Sequence, residues 1–271
     1  MQNAAMDAIC NDLAAEHHDL DEIVAAAAED AWDALTPADG WMVRDQISHL
    51  WFFDQRAVLA LTDPDAFAAD MQWLLSTGGT DASIVPGRER SPAELLAAWR
   101  ADRQHLLDVA RGVDPSARIP WYGPSMAARS FITARLMETW AHGQDVVDAL
   151  GAHRAPTARL RHVAHIGVRA RPFSYANRKM AMPEGDVHVA LTAPDGEVWT
   201  WNDPEAPDRV SGPALDFCLA VTQRRHRADT ALVIEGDAAR EWMSIAQAFA
   251  GAPGDGRREG QFKPNPTGTS S

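Results

Sequence analysis

Three side chains in this sequence have the types and spacing to hold a divalent cation: His49 in one helical segment, and Glu138 and His142 in another. Glu138 and His142 are four residues apart in Glu138-Thr139-Trp140-Ala141-His142, which on a helix puts them on one face, one turn apart. A histidine from a facing helix completes a set of two imidazoles and a carboxylate. Such a set leaves a fourth position open, as catalytic rather than structural zinc requires. Taken alone, a Glu/His pair one turn apart is more often a surface ion pair. The helices that carry the residues decide between the two readings.

His49 lies in a helical segment over residues 43–61, flanked by Ile47, Leu50, Trp51, Phe52 and Phe53, so it is expected to face inward. A lone inward histidine is more often a hydrogen-bonded core residue than a ligand. Asp45, four residues earlier, either holds the other imidazole nitrogen or belongs to a solvated face. Ser125 opens the helix of Glu138 and His142, which ends at Gly151. One face of it carries Ile132, Leu136, Trp140 and Val147, and a second stripe carries Glu138, His142 and Asp145. An ionised glutamate on a core-facing helix needs a partner or a metal.

Further helices complete a bundle. Residues 3–34 place Met6, Ile9, Leu13, Leu20, Ile23 and Val24 at helical spacing, and a shorter helix over 65–75 stops at Gly78-Gly79. Ser91-Pro92-Ala93-Glu94 sets an N-cap serine, a proline at the first helical position and a capping-box glutamate ahead of a helix that runs to Arg111. Thr157 starts one more, to Arg171. Near Pro183 the period changes from helical to alternating. Residues 187–192 and 197–201 read as a hairpin about Pro194-Asp195-Gly196, 208–211 and 231–235 as further strands, and 213–224 and 238–250 as helices. The fold class expected is α+β: a helical bundle over residues 1–180, a small α+β C-terminal domain over 185–250, and a disordered tail over 251–271.

Composition narrows the function. With 25 basic against 38 acidic residues the net charge is −13, which argues against a nucleic-acid partner despite the short run Arg224-Arg225-His226-Arg227. Cys10 and Cys218 lie far apart with no CxxC spacing, so no disulfide framework is expected and a reducing, cytoplasmic setting is. Cys10 has no activating neighbour and reads as structural. Neither a secretory signal nor a membrane-spanning run is evident. Lysine occurs only at Lys179 and Lys263 against abundant arginine and alanine, a bias of high-G+C genomes. There is no nucleophile elbow, phosphate-binding glycine loop or dinucleotide fingerprint. His17 and His18 read as exposed, His162 and His165 as part of a mixed face, and His188 as half exposed on a strand. The segment from Arg171 to Arg178, with Tyr175 and Asn177, reads either as a pocket wall or as an interdomain linker.

The segment Trp41…Arg44-Asp45…His49-Leu50, together with Glu138-x-x-x-His142-x-x-Asp145-x-x-x-Ala149-Leu150-Gly151, resembles the mycothiol-dependent maleylpyruvate isomerase family, one of the DinB-like metal-binding bundles. The stretches from Val210 to Cys218, Arg224-Arg225, Glu235-Gly236-Asp237 and Glu241-Trp242 resemble that family's small second domain. The resemblance implies a DinB-like four-helix bundle and a divalent metal, usually zinc, at His49, Glu138 and His142. It implies mycothiol, the low-molecular-weight thiol of actinobacteria, as the thiol partner, and Arg224 as the arginine linked to activity, with Arg225 beside it. The family has Trp-Gly or similar before that arginine, where this chain has Thr222-Gln223.

The leading expectation is a metal-dependent isomerase or thiol transferase that activates a thiol for attack on a small electrophilic substrate. The alternatives are a hydrolase using metal-bound water and a non-catalytic metal- or ligand-binding protein on the same bundle. Monomer and homodimer both remain open.

Overall fold

The computed structural model describes residues 2–77 and 79–262. The chain divides into two compact units, Met1–Arg154 and Ala155–Ser271.

The first unit is built on four long helices: α1 (Gln2–Ala26), α2 (Val43–Thr62), α5 (Pro92–Arg111) and α6 (Ala128–Leu150); α3 (Pro64–Thr77) and the single turn α4 (Val85–Arg88) lie between α2 and α5. A short antiparallel pair, β1 (Arg118–Ile119) and β2 (Met126–Ala127), precedes α6. Two caps are those the sequence encodes, whereas α6 begins at Ala128 behind an N-cap Ala127 that has no side-chain cap, not at Ser125. Ser91 Oγ accepts from Glu94 N while the Glu94 carboxylate accepts from Ser91 N at 2.9 Å, and Gly151 ends α6 at φ 59°. Met6, Leu13, Leu20 and Val24 bury the inner face of α1. Leu20 and Val24 belong to a core that includes Ile47 and Leu50 of α2, Leu95 and Trp99 of α5 and Val146 of α6. The expected helix over 3–34 is interrupted: α1 stops at Ala26, and a 3-10 turn, Glu29–Asp33, buries Trp32. A second 3-10 turn, Gly79–Ser83, follows α3.

Two buried charges cross the bundle. Arg135 of α6 donates to the Asp54 carboxylate of α2 through Nη2 at 2.9 Å and Nε at 3.2 Å, and its Nη2 reaches Leu50 O at 3.4 Å. Asp54 also accepts from Trp99 Nε1 at 3.3 Å. Arg135 lies one turn before Glu138 and Asp54 little more than one turn after His49, so this pair ties α2 to α6 close to His49 and Glu138.

The second unit begins earlier than the change of period near Pro183 indicates. It contains α7 (Leu160–Arg169) and α8 (Arg171–Asn177), which the sequence reading groups with the bundle. The cause is the packing of α7 on α9 (Ala214–Val221), which needs a glycine. A Cβ on Gly167 would lie 2.6 Å from Val221 Cγ2 and 3.1 Å from Phe217 Cε1. The sheet comprises β3 (Val187–Thr192), β4 (Val198–Trp201), β5 (Asp208–Pro213) and β6 (Val233–Glu235), in the order β4-β3-β5-β6, with β3 and β5 parallel and the other pairs antiparallel. Val187, Val189 and Leu191 point inward from β3, as the period of two requires. α10 (Asp237–Ile245) closes the fold through Trp242.

Tyr175 and Asn177 serve this unit internally: Tyr175 Oη donates to Glu241 Oε2 at 3.1 Å, and Asn177 Nδ2 to Gly251 O at 3.0 Å. Part of the expected disordered tail is described. Residues 251–262 form no helix or strand but are tied down, Gln223 and Arg178 donating to Gly254 O and Gly260 N to the Asp229 carboxylate. The rest of that tail lies outside the described residues.

Candidate metal centre

His49 of α2 and Glu138 and His142 of α6 converge: each offers one ligand atom, and these atoms lie within 4.8 Å of one another. His142 Nε2 is 3.4 Å from Glu138 Oε2, and the rings of His49 and His142 have centroids 4.4 Å apart. His49 is 8% exposed, and the side chains of His142 and Glu138 are 12% and 22% exposed, so the cluster is sheltered and still reachable from solvent. A surface Glu/His pair does not bring a second imidazole to the same point. Two nitrogens and a carboxylate oxygen are a donor set that suits zinc and its neighbours better than magnesium or calcium.

Other side chains hold the rings. His49 Nδ1 is 2.9 Å from Ser83 Oγ, and His142 Nδ1 is 2.6 Å from Gln46 Oε1. Asp45 is not the partner of His49. Its carboxylate accepts from Arg88 Nε at 2.8 Å, Arg88 Nη2 at 2.7 Å and Met42 N at 2.9 Å, so it caps α2 and docks α4. The shift has a simple cause: three residues into a helix a carboxylate folds back on the free N–H groups. Asp145, on the same stripe as the ligands, is buried.

Aromatic rings flank the cluster. Trp41 lies 5.2 Å from the His49 ring and 6.1 Å from His142, nearly parallel to the latter, and Phe53 lies 4.6 Å from His49. Trp121 and Tyr122, from the loop between β1 and β2, continue the wall beyond Phe53. Burial pushes the Tyr122 phenol up to about 12, so it stays neutral at physiological pH.

The remaining candidates lie elsewhere. His17 is buried against Trp99 rather than exposed, His18 is exposed, and His188 is buried on β3. His165 Nδ1 accepts from Trp201 Nε1 at 3.2 Å. Cys10 is buried with its thiol pushed up to about 11, and Cys218 is buried with its thiol pushed up further, so neither is a nucleophile.

Arg224 belongs to the second unit. Gln223 and Arg224 close α9 with the two hydrogen bonds of a Schellman motif, Gln223 N to Ala220 O at 3.0 Å and Arg224 N to Leu219 O at 2.8 Å. Gln223 therefore takes φ 60°, a left-handed conformation in which glycine is free of steric cost. The departure from Trp-Gly in this chain thus puts a side chain where the backbone favours none. Gln223 makes use of it: Nε2 donates to Ala246 O at 3.1 Å and Gly254 O at 3.3 Å.

Gln46 and Ser83 were not legible as site residues. Gln46 had a signal, since it precedes His49 by three residues and so shares its face. Ser83 had none, because it sits on a 3-10 turn that no periodicity announces.

Comparison with known proteins agrees with this architecture. Residues 13–147, which contain all three ligand positions, match the model of the mycothiol maleylpyruvate isomerase N-terminal domain. Two Mycobacterium tuberculosis proteins from different strains, uncharacterized proteins MT0041 and Rv0036c, are each 44% identical to this chain over 248 residues, covering 91% of it and 96% of themselves. The crystal structure of the mycothiol-dependent maleylpyruvate isomerase superposes with a TM-score of 0.57 at 16% identity, over 81% of this chain and 90% of that one, and a single-site mutant of that enzyme superposes equally well. At that identity the likeness is one of fold. Taken with the domain match over the bundle and the near-full-length relatives, it means that the chain belongs to the mycothiol-dependent maleylpyruvate isomerase-like family.

Proposed function

We propose that this protein is a thiol-dependent enzyme whose active metal, zinc or a close relative, is held by His49, Glu138 and His142. The observation that carries the reading is the convergence of those ligand atoms within 4.8 Å at a sheltered but reachable point. A divalent cation there supplies the positive charge against which a thiol ionises at neutral pH. The two imidazoles and the Glu138 carboxylate would hold that cation, and the solvent-reachable side of the cluster would admit the sulfur. Trp41 and Phe53 shield the rings from bulk water, which strengthens every electrostatic interaction inside.

Mycothiol is the thiol that fits the family, and a small electrophile with an activated double bond is the substrate class. Attack by the thiolate leads to isomerisation when the thiol is expelled again and to transfer when it is kept. Arg224 is the proposed catalytic arginine, holding a carboxylate or a developing enolate of the substrate. Such chemistry suits a reducing cytoplasm, where low-molecular-weight thiols stay reduced. No helix among the described residues is long and apolar enough to cross a membrane.

Turnover of candidate electrophiles with and without mycothiol tests the reading. Activity that requires the thiol and is lost in Glu138→Gln is the expected result. Thiol-independent turnover by the metal-loaded protein would turn the reading toward a hydrolase.

A further inference from the structure

We infer that Gln46, Thr36 and Ser83 are positioning residues that lock both ligand histidines in the tautomer bearing hydrogen on Nδ1, leaving Nε2 as the coordinating nitrogen. The inference rests on the metal reading for the purpose of the lock, and on hydrogen-bond polarity for its existence.

Two chains of hydrogen bonds run away from the rings, and each ends on a backbone carbonyl, which can only accept. The first starts at His142. Its Nδ1 is 2.6 Å from Gln46 Oε1; Gln46 Nε2 is 2.9 Å from Thr36 Oγ1; Thr36 Oγ1 is 2.9 Å from Trp41 O. Trp41 O takes the Thr36 hydroxyl proton. Thr36 Oγ1, its one hydrogen used, accepts from the Gln46 amide. The amide nitrogen is thereby turned to Thr36 and the amide oxygen to His142, so His142 Nδ1 must donate. Reversing any one link sets two acceptors or two donors face to face in a buried place, where an unmade hydrogen bond is not replaced by water.

The second chain is shorter. His49 Nδ1 is 2.9 Å from Ser83 Oγ, and Ser83 Oγ is 2.5 Å from Thr80 O. The carbonyl of Thr80 takes the Ser83 proton, and Ser83 Oγ accepts from His49 Nδ1–H. Ser83 is itself pinned to α2, because Ser48 Oγ donates to Ser83 O at 2.6 Å and accepts from Gly87 N at 3.0 Å. Gln46, Ser48 and His49 thus lie within one turn of α2, and that turn carries one ligand and orients the other.

The geometry of Thr36 makes the inference separable from simple contact. Its hydroxyl touches neither ring, so its effect on the metal must pass through the amide of Gln46. In Thr36→Val the amide is free to flip and His142 no longer has a fixed tautomer.

Long-range 15N–1H correlation spectra of the metal-free protein, at a pH where both rings are neutral, read the tautomers directly. Nδ1–H at His49 and at His142 is the expected result, and a predominant Nε2–H form at either ring overturns the inference for that ring. Competition with a chromogenic chelator gives the second readout. Thr36→Val should raise the zinc Kd about tenfold or more and mix the His142 tautomers while leaving His49 unchanged, with Thr36→Ser restoring both. A Thr36→Val protein that melts as the wild type does and binds zinc equally tightly overturns it. Wild-type protein with both Nδ1–H tautomers and no affinity for zinc removes the metal reading and leaves the polarity of the chains standing.

Discussion

His17 shows what burial alone does to one residue. It is 2% exposed, both ring nitrogens lie without a hydrogen-bond partner among the described residues, and its pKa is held well below the usual histidine value by burial first and then by Arg103 and Arg135, with Asp21 opposing. The folded state therefore keeps His17 neutral at a pH where the unfolded chain binds a proton. Stability is fully present above the unfolded pKa of about 6.5 and falls as pH drops below it, by about 1.4 kcal/mol per pH unit at most. Denaturant melts at pH 7.5 and 5.5 should show this loss in the wild type and a smaller one in His17→Leu; equal acid sensitivity in the two would contradict it. Gln223 makes a second case. Gln223→Ala keeps the left-handed backbone and loses both side-chain hydrogen bonds, whereas Gln223→Gly loses the bonds and relieves the backbone. Alanine should therefore cost about 1 kcal/mol more than glycine in chemical denaturation. The sequence revealed neither residue's setting. His17 sits beside His18 in an acidic stretch, and only the packing of α1 on α5 turns one inward and leaves the other in water.

Helices α2 and α6 carry the candidate ligands, and their legibility was high for the same reason that they are stable. Long apolar stripes, a serine capping box on α5 and a glycine stop on α6 are local signals, so the helices and the Glu138/His142 spacing could be read directly. What joins the helices is non-local. The Asp54–Arg135 pair spans 81 positions of sequence, and nothing in either segment announces the other. Its removal gives a test at this scale. Arg135→Met alone should destabilise the protein by about 3–5 kcal/mol, because it strands a buried carboxylate, and Asp54→Leu/Arg135→Met should recover most of the loss. If the pair sets register, the double variant folds but binds zinc more weakly than the wild type; unchanged zinc affinity would limit the pair to a structural role. Gly87 tests the other side of the site. A Cβ there would lie 2.4 Å from Ser48 Cβ, so Gly87→Ala should push α4 from α2 at a cost of about 1–3 kcal/mol in thermal melts.

At the scale of the whole molecule the class was legible and the division was not. Alternating apolar residues from Val187 onward mark the sheet, so α+β follows from the sequence. The place where one unit ends depends on which helix packs on which, and the close approach of α7 to α9 at Gly167 assigns both helices to the second unit. A bound metal couples to the stability of the folded chain as a whole. At a hundredfold excess over its Kd it adds about 2.7 kcal/mol, so zinc should raise the melting temperature of the wild type and leave that of a ligand-deficient variant where it was. The most direct test of the metal centre is zinc per chain, by elemental analysis after dialysis, in wild type and in His49→Ala. About one equivalent in the wild type and a large loss in the variant is the predicted result. Undiminished stoichiometric zinc in His49→Ala, or none in the wild type, would contradict the assignment of His49, Glu138 and His142 as the site.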